Sequence, residues 1–256
     1  MNILDKIVLE KKNHNFYLKQ KQLKFTIKKK SNFINEIKKT IRSGNNALIA
    51  EFKRFSPSVK KFKKVKNIYD VISAYDKSNC CCISILTDHH FGGSLNDLIV
   101  AKKMTKKPLI RKDFIIDKAQ VLESKLYGAD AILLIAKILT KKQLKDLFNY
   151  SKKLSLDVLI EVESEFELNK LKGIKPDLIG INNRNLREQR IDINKSLNLS
   201  KKLDDTLIVS ESGINASNIK KIKSHSSIST FLIGGSILNT NNKILYINKL
   251  FKSSWN

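Results

Sequence analysis

Eight short apolar runs, each followed by a polar turn and then by a segment with helix-spaced apolar residues, predict a (β/α)8 TIM barrel from residue 47 onward. The runs are nearly continuous in apolar character and lack the in-out alternation of a half-exposed sheet. Strands covered on both faces read this way, so the sheet is predicted to be parallel. A doubly wound open sheet is the structural rival, but it rarely needs eight such even units.

Residues 1–46 precede the first run and read as two helical pieces, about 1–20 and 31–43, the second ending at Gly44 as helices commonly do. The predicted strands are ALIAEF (47–52), CCISIL (81–86), PLIRKDF (108–114), AILLIA (131–136), DVLIEV (157–162), LIGIN (178–182), LIVSES (207–212) and TFLIGG (230–235). Helical spacing follows each one: IYDVISAYDKS, LNDLIVAKKM, DKAQVLESKLYG, TKKQLKDLFNYSKKL, SEFELNKLKG, NKSLNLSKKL, ASNIKKIKS and KILYINKLFKS. No stretch rich in Gly, Pro or Ser interrupts the series. Residues 1–256 therefore read as one domain, with residues 1–46 a helical extension covering the barrel.

Composition narrows the function classes. A hydrophobic content of 41% in 256 residues supports a sizeable core. No run approaches the ~18 unbroken apolar residues of a membrane span, and the N-terminus lacks an apolar signal core, so the expected address is the cytoplasm with no membrane partner. Cys80, Cys81 and Cys82 are consecutive, match no zinc spacing and read as small buried strand residues. The formal charge of +25 invites a nucleic-acid reading, but Lys is spread along nearly every segment and Arg is scarce. That pattern is a solvated surface more than a phosphate-reading patch, and no specific nucleic-acid partner is expected. His89 and His90 have no third ligand nearby in the sequence, so no metal is expected there.

The C-terminal strand ends of such a barrel build its active site. They carry Glu51 and Lys53 on the first strand, Arg111, Lys112 and Asp113 on the third, and Glu161 on the fifth. Asn182, Asn183 and Arg184 end the sixth, Glu211, Ser212 and Gly213 the seventh, and Gly234 and Gly235 the eighth. Glycines after the last two strands let backbone N–H groups approach a phosphate, which points to a phosphorylated sugar-like substrate. A lysine in a dry mouth can have a lowered pKa and give a proton that a facing glutamate can remove, so the set suits proton-transfer chemistry at a carbonyl.

The words IAEFKRFSPS, SILTD, FGGSLNDL, PLIRKDFIID, GADAILLIA, LIEVESEFEL, IGINNRNL, VSESGI and FLIGGS, in this order over about residues 47–236, resemble the indole-3-glycerol-phosphate synthase family. That family closes the pyrrole ring of 1-(2-carboxyphenylamino)-1-deoxyribulose 5-phosphate with loss of carbon dioxide and water. The resemblance implies no cofactor and no metal, and a small phosphorylated anthranilate-ribulose substrate as the partner; the chain itself is expected to be a monomer. It casts Lys112 as the general acid at the ribulose carbonyl and Glu161 as the general base. Glu51 would assist proton transfer, and Lys53 would pair with the anthranilate carboxylate. Asn182 and Ser212 would fix hydroxyls and catalytic groups, supported by Glu211 and Arg184.

By the same resemblance Ser56, Gly213, Gly234 and Gly235 would hold the phosphate, and Pro57, Phe114 and Leu232 would contact the aromatic part. The chain departs from the family after SPS, where VKKFKKVKN stands in place of a glycine and a short apolar stretch. A phosphoribosylanthranilate isomerase is the neighbouring alternative. It would place a Cys and Asp pair at strand ends one and six, which here carry Glu51 with Lys53 and Asn182. A basic nucleic-acid-binding protein is the alternative from another class, and it would leave the mouth residues dispensable.

Overall fold

The computed structural model describes residues 3–20, 31–56, 62, 65, 67–203 and 206–252. Its strands β1 (Ala47–Phe52), β2 (Cys82–Leu86), β3 (Leu109–Lys112), β4 (Ala131–Ile135), β5 (Asp157–Val162), β6 (Leu178–Asn182), β7 (Leu207–Glu211) and β8 (Thr230–Ile233) form a closed barrel in chain order. Every pairing is parallel, and the ring closes where Ala47 and Leu48 of β1 meet Thr230 and Phe231 of β8. Four predicted strands run too far at their C-terminal ends, each for a local reason. Asp113 turns its carboxylate to the Phe114 N–H at 2.8 Å, which ends β3. Ile135 and Ala136 enter a short 3-10 turn after β4. Ser212 takes a left-handed φ of 65° after β7, and Gly235 opens a helical turn after β8.

Around the barrel lie α3 (Ile68–Lys77), α4 (Leu95–Met104), α5 (Lys118–Leu126), α6 (Lys141–Lys153), α7 (Glu165–Lys170), α8 (Asn194–Ser200), α9 (Ile219–Ser224), α10 (Gly235–Leu238) and α11 (Lys243–Phe251). Their starts follow capping chemistry. Ser94 and Thr140 form capping boxes with Asp97 and Gln143, while Asn67, Asp117, Ser164 and Asn242 each accept a backbone N–H in the first turn.

Two apolar clusters result among the described residues. One lies between the strands and the outer helices, and includes Phe52, Tyr75, Ile83, Leu144 and Phe231. The other fills the barrel with Ile49, Cys82, Ile110, Leu133, Leu159, Val209 and Leu232, and extends into both N-terminal helices. Of the cysteines, Cys80 and Cys82 are buried and Cys81 is half-buried, all of them free thiols.

Helices α1 (Ile3–Gln20) and α2 (Phe33–Arg42) cover opposite ends of the barrel. Helix α2 plugs the end where the strands begin. Asp157, the first residue of β5, accepts the Ser31 hydroxyl at 2.6 Å and the Ile34 N–H at 3.1 Å, and Phe33, Ile34 and Ile37 are buried there. Burying three such side chains stabilises the plug by about 2 kcal/mol each. Helix α1 crosses the other end. Its Lys11 ammonium bridges Asp88 at 3.0 Å and Asp113 at 2.8 Å, in the loops after β2 and β3, while Leu4 and Ile7 face the mouth. Among the described residues no helix is long and apolar enough to cross a membrane.

Candidate active site

A cavity of about 330 Å³ opens at the C-terminal ends of the strands under α1. A pocket of that size accommodates a small ligand. Strand geometry decides what enters it, because successive side chains on a strand point to opposite faces. On β3, Arg111 turns outward to Glu123 of α5 at 2.8 Å and to Asp113 at 2.9 Å, so Lys112 between them turns inward. The sequence reading grouped all three at the mouth; the pleat removes Arg111 from it.

The Lys112 ammonium lies 3.1 Å from Glu161 Oε2 and 3.2 Å from Glu211 Oε2. Burial alone would lower its pKa, but the charges of Glu161, Glu211 and Glu51 outweigh burial and raise it. The expectation of a lysine loosened by a dry mouth is therefore reversed for Lys112, which stays protonated across the working range of pH. Asn182 donates its amide to Glu161 Oε1 at 2.9 Å, so both oxygens of Glu161 are held and its direction is fixed. The amide oxygen of Asn182 accepts the Arg184 N–H at 2.9 Å, which ties the loop after β6 to the same group.

Glu211 is the residue the sequence reading underrated. It is buried, its Oε1 has no hydrogen-bond partner among the described residues, and Gly180 on β6 leaves the room its carboxylate occupies. Burial pushes its carboxyl up, Lys112 opposes, Glu161 and Glu51 add repulsion, and the result is about 7. Nothing in the word VSESGI marks a glutamate of that kind, since the shift depends on neighbours from β1, β3 and β5.

Glu51 and Lys53 occupy the other side, with Lys53 Nζ 2.5 Å from Glu51 Oε1. Burial works against ionising Glu51, yet Lys53, Lys112 and Arg184 together hold its carboxyl below the ordinary value. The buried Tyr75 hydroxyl donates to the Glu51 backbone carbonyl at 2.9 Å and fixes the strand end from behind. Gly234 is required beside it, because a Cβ there would lie 2.6 Å from Glu51 Oε1.

Ser56, Ser212, Gly213, Gly234 and Gly235 line the same cavity, as do Arg184, Phe114 and Leu232. Gly213 has φ of 76°, a left-handed conformation that favours glycine, and a Cβ there would lie 2.6 Å from Ile191 Cγ2. All the predicted site residues among the described ones thus line one cavity, and Pro57 lies outside the described residues. Sequence reasoning missed Phe62, which is buried at the cavity wall from within the divergent KKFKK stretch. It named Asn183 at the sixth strand end but assigned it no role; the Asn183 amide donates to the Glu211 carbonyl at 2.8 Å and so binds the ends of β6 and β7 together. Both act through contacts between distant segments, for which a single word carries no signal.

A protonated ammonium between two carboxylates, one of them near neutrality, equips the mouth to give one proton and take another. Glycine-lined turns after β7 and β8 stand beside it. The chain is 38% identical over 232 residues to the indole-3-glycerol phosphate synthase of Aliarcobacter butzleri, covering 89% of this chain and 87% of the relative. It is 39% identical over 212 residues to that of Aquifex aeolicus, covering 81% and 82%. Among solved structures, KGPDC from Streptococcus mutans superposes with a TM-score of 0.61 at 11% identity over 80% of this chain and 94% of that one, a likeness of fold. A family model, "Indole-3-glycerol phosphate synthase", matches residues 4–250, and the chain belongs to that family of tryptophan-biosynthesis carboxy-lyases.

Proposed function

We propose that the cavity folds 1-(2-carboxyphenylamino)-1-deoxyribulose 5-phosphate so that its anilino ring carbon attacks the ribulose carbonyl, and that Lys112 protonates the carbonyl oxygen as the bond forms. The observation that carries this is the Lys112 ammonium held at 3.1 Å and 3.2 Å between two carboxylates. A cation so placed meets negative charge where it develops, without reorganisation at the moment of reaction. Loss of carbon dioxide then returns the ring electrons and restores aromaticity, which needs orientation more than further chemistry.

Dehydration needs a second proton on the departing hydroxyl and a base for the carbon-bound hydrogen next to nitrogen. Glu161, aimed by Asn182, is the base. Glu211, with its carboxyl near 7, recharges Lys112 across their contact. Two protons given and one taken match the net uptake of one when a carboxylate leaves as carbon dioxide. Lys53 and Arg184 supply positive charge toward the substrate carboxylate. Phe114 and Leu232 contact the aromatic ring, while Ser212 fixes substrate hydroxyls.

The phosphate is proposed to lie at Gly213, Gly234 and Gly235 with the Ser56 hydroxyl, supported by the N–H groups at the start of α10 that have no intrahelical acceptor. We place this chemistry in the cytoplasm. The test is direct: the purified chain is mixed with the substrate, and indole fluorescence and carbon dioxide are followed together. Equimolar release of both supports the proposal; a folded protein that yields neither refutes it.

A further inference from the structure

Outside the catalytic cavity, α1 and the loop after β2 bring together three metal-ligand side chains that are far apart in the sequence. Glu10 Oε2 lies 3.1 Å from His90 Nε2 and 3.3 Å from His89 Nε2, and the three ligand atoms fall within 4.8 Å of one another. The two histidines are adjacent on a single 3-10 turn, His89–Phe91, with ring centroids 4.0 Å apart. The sequence offered the histidine pair without a third ligand; the fold supplies it from a helix at the start of the chain.

We propose that Glu10, His89 and His90 form a binding site for a divalent transition cation of the zinc type, which fastens α1 across the mouth of the barrel. Ligands at ~2.0–2.1 Å around a tetrahedral centre lie roughly 3.4 Å from one another, close to the two separations measured to Glu10. His89 is two-thirds exposed and rotates freely enough to adjust the third. The donor set of two imidazoles and one carboxylate suits zinc and leaves a fourth position for water.

A second observation supports a ligand role over a chance surface cluster. His90 Nδ1 is 2.9 Å from Asp88 Oδ1, and Asp88 is fully buried. A carboxylate behind a ligating histidine fixes the tautomer, leaving the Nε2 lone pair outward, and orients the ring. Asp88 also accepts the His90 backbone N–H at 2.9 Å, so one carboxylate sets both main chain and ring. The nearby Lys11 charge is already balanced by Asp88 and Asp113 at 3.0 Å and 2.8 Å. Because Leu4 and Ile7 of the same helix line the cavity, a cation at Glu10 holds the cover in place over it.

Zinc titration of the chelator-stripped full-length chain by calorimetry tests this, with cobalt absorption as a second reading of geometry. One cation per chain is expected, with tetrahedral cobalt bands, and at least tenfold weaker binding in each of His89→Gln, His90→Gln and Glu10→Gln. Asp88→Asn is expected to weaken it by about tenfold or more, because the carboxylate behind His90 Nδ1 is lost. Zinc should also slow hydrogen exchange of the α1 amides at least tenfold in the wild type and not in His89→Gln. Because His89 is exposed, that variant keeps its fold. Absence of stoichiometric binding overturns the proposal. So does binding that survives both His89→Gln and Glu10→Gln, which would put the metal elsewhere, the three cysteines included.

Discussion

Replacing Gly180 by Ala reaches the catalytic cage from inside β6 without touching the cavity surface. The added Cβ would lie 2.1 Å from Glu211 Oε1, 3.2 Å from Glu211 Cδ and 3.3 Å from Leu159 Cδ1. Ordinary contact begins near 3.4 Å, so the carboxylate must retreat by about 1.3 Å. Its contact with Lys112, now 3.2 Å, then opens beyond hydrogen-bond range. Overpacking a tight interior costs about 1–3 kcal/mol, and a misplacement of this size near reacting groups costs about 10²-fold in rate. The expected outcome is a folded variant whose melting temperature falls by a few degrees and whose kcat/KM falls about a hundredfold. The decisive comparison is with Glu211→Gln. If Gly180 acts through Glu211, the double variant is little worse than Glu211→Gln alone, since the two share one effect. Wild-type turnover in Gly180→Ala, or fully additive losses in the double variant, would refute the reasoning.

Three further outcomes are expected. Since the proposed relay uses protonated Glu211, and that proton is lost as pH rises through about 7, kcat/KM of the wild type should decline with pH across that range. Glu211→Gln should lower the whole profile and flatten that limb. Gly234→Ala drives a Cβ to 2.6 Å from Glu51 Oε1, so it should disturb the Glu51–Lys53 pair and the adjoining turn proposed to hold the phosphate, raising KM at least tenfold in steady-state kinetics. Lys11→Met strips Asp88 and Asp113 of a buried cation, and denaturant unfolding should report a loss of about 3 kcal/mol, with KM raised because α1 no longer holds Leu4 and Ile7 at the mouth.

The barrel was legible because each strand is covered on both faces and so announces itself as an apolar run, and because the glycine and carboxylate positions recur at strand ends. Strand lengths were less so: Asp113, Ser212 and Gly235 each leave the ladder for reasons of side-chain capping or backbone conformation. Which polar groups gather was readable from strand order, since neighbouring strands bring their ends together. How they influence one another was not. The direction of the Lys112 shift depends on three carboxylates from β1, β5 and β7, and Arg111 leaves the mouth only because the pleat turns it outward. The meeting of Glu10 with His89 and His90 rests on where α1 crosses the barrel, which local periodicity does not encode.

The central claim is that Lys112, caged between Glu161 and Glu211, gives the proton that drives ring closure. Substrate affinity and turnover of Lys112→Met, measured separately by binding titration and by single-turnover fluorescence, test it most directly. Loss of a positioned acid predicts turnover reduced about 10²–10⁴-fold while substrate affinity stays within about tenfold of the wild type. Turnover within tenfold of the wild type, in a variant that binds substrate normally, would contradict the account.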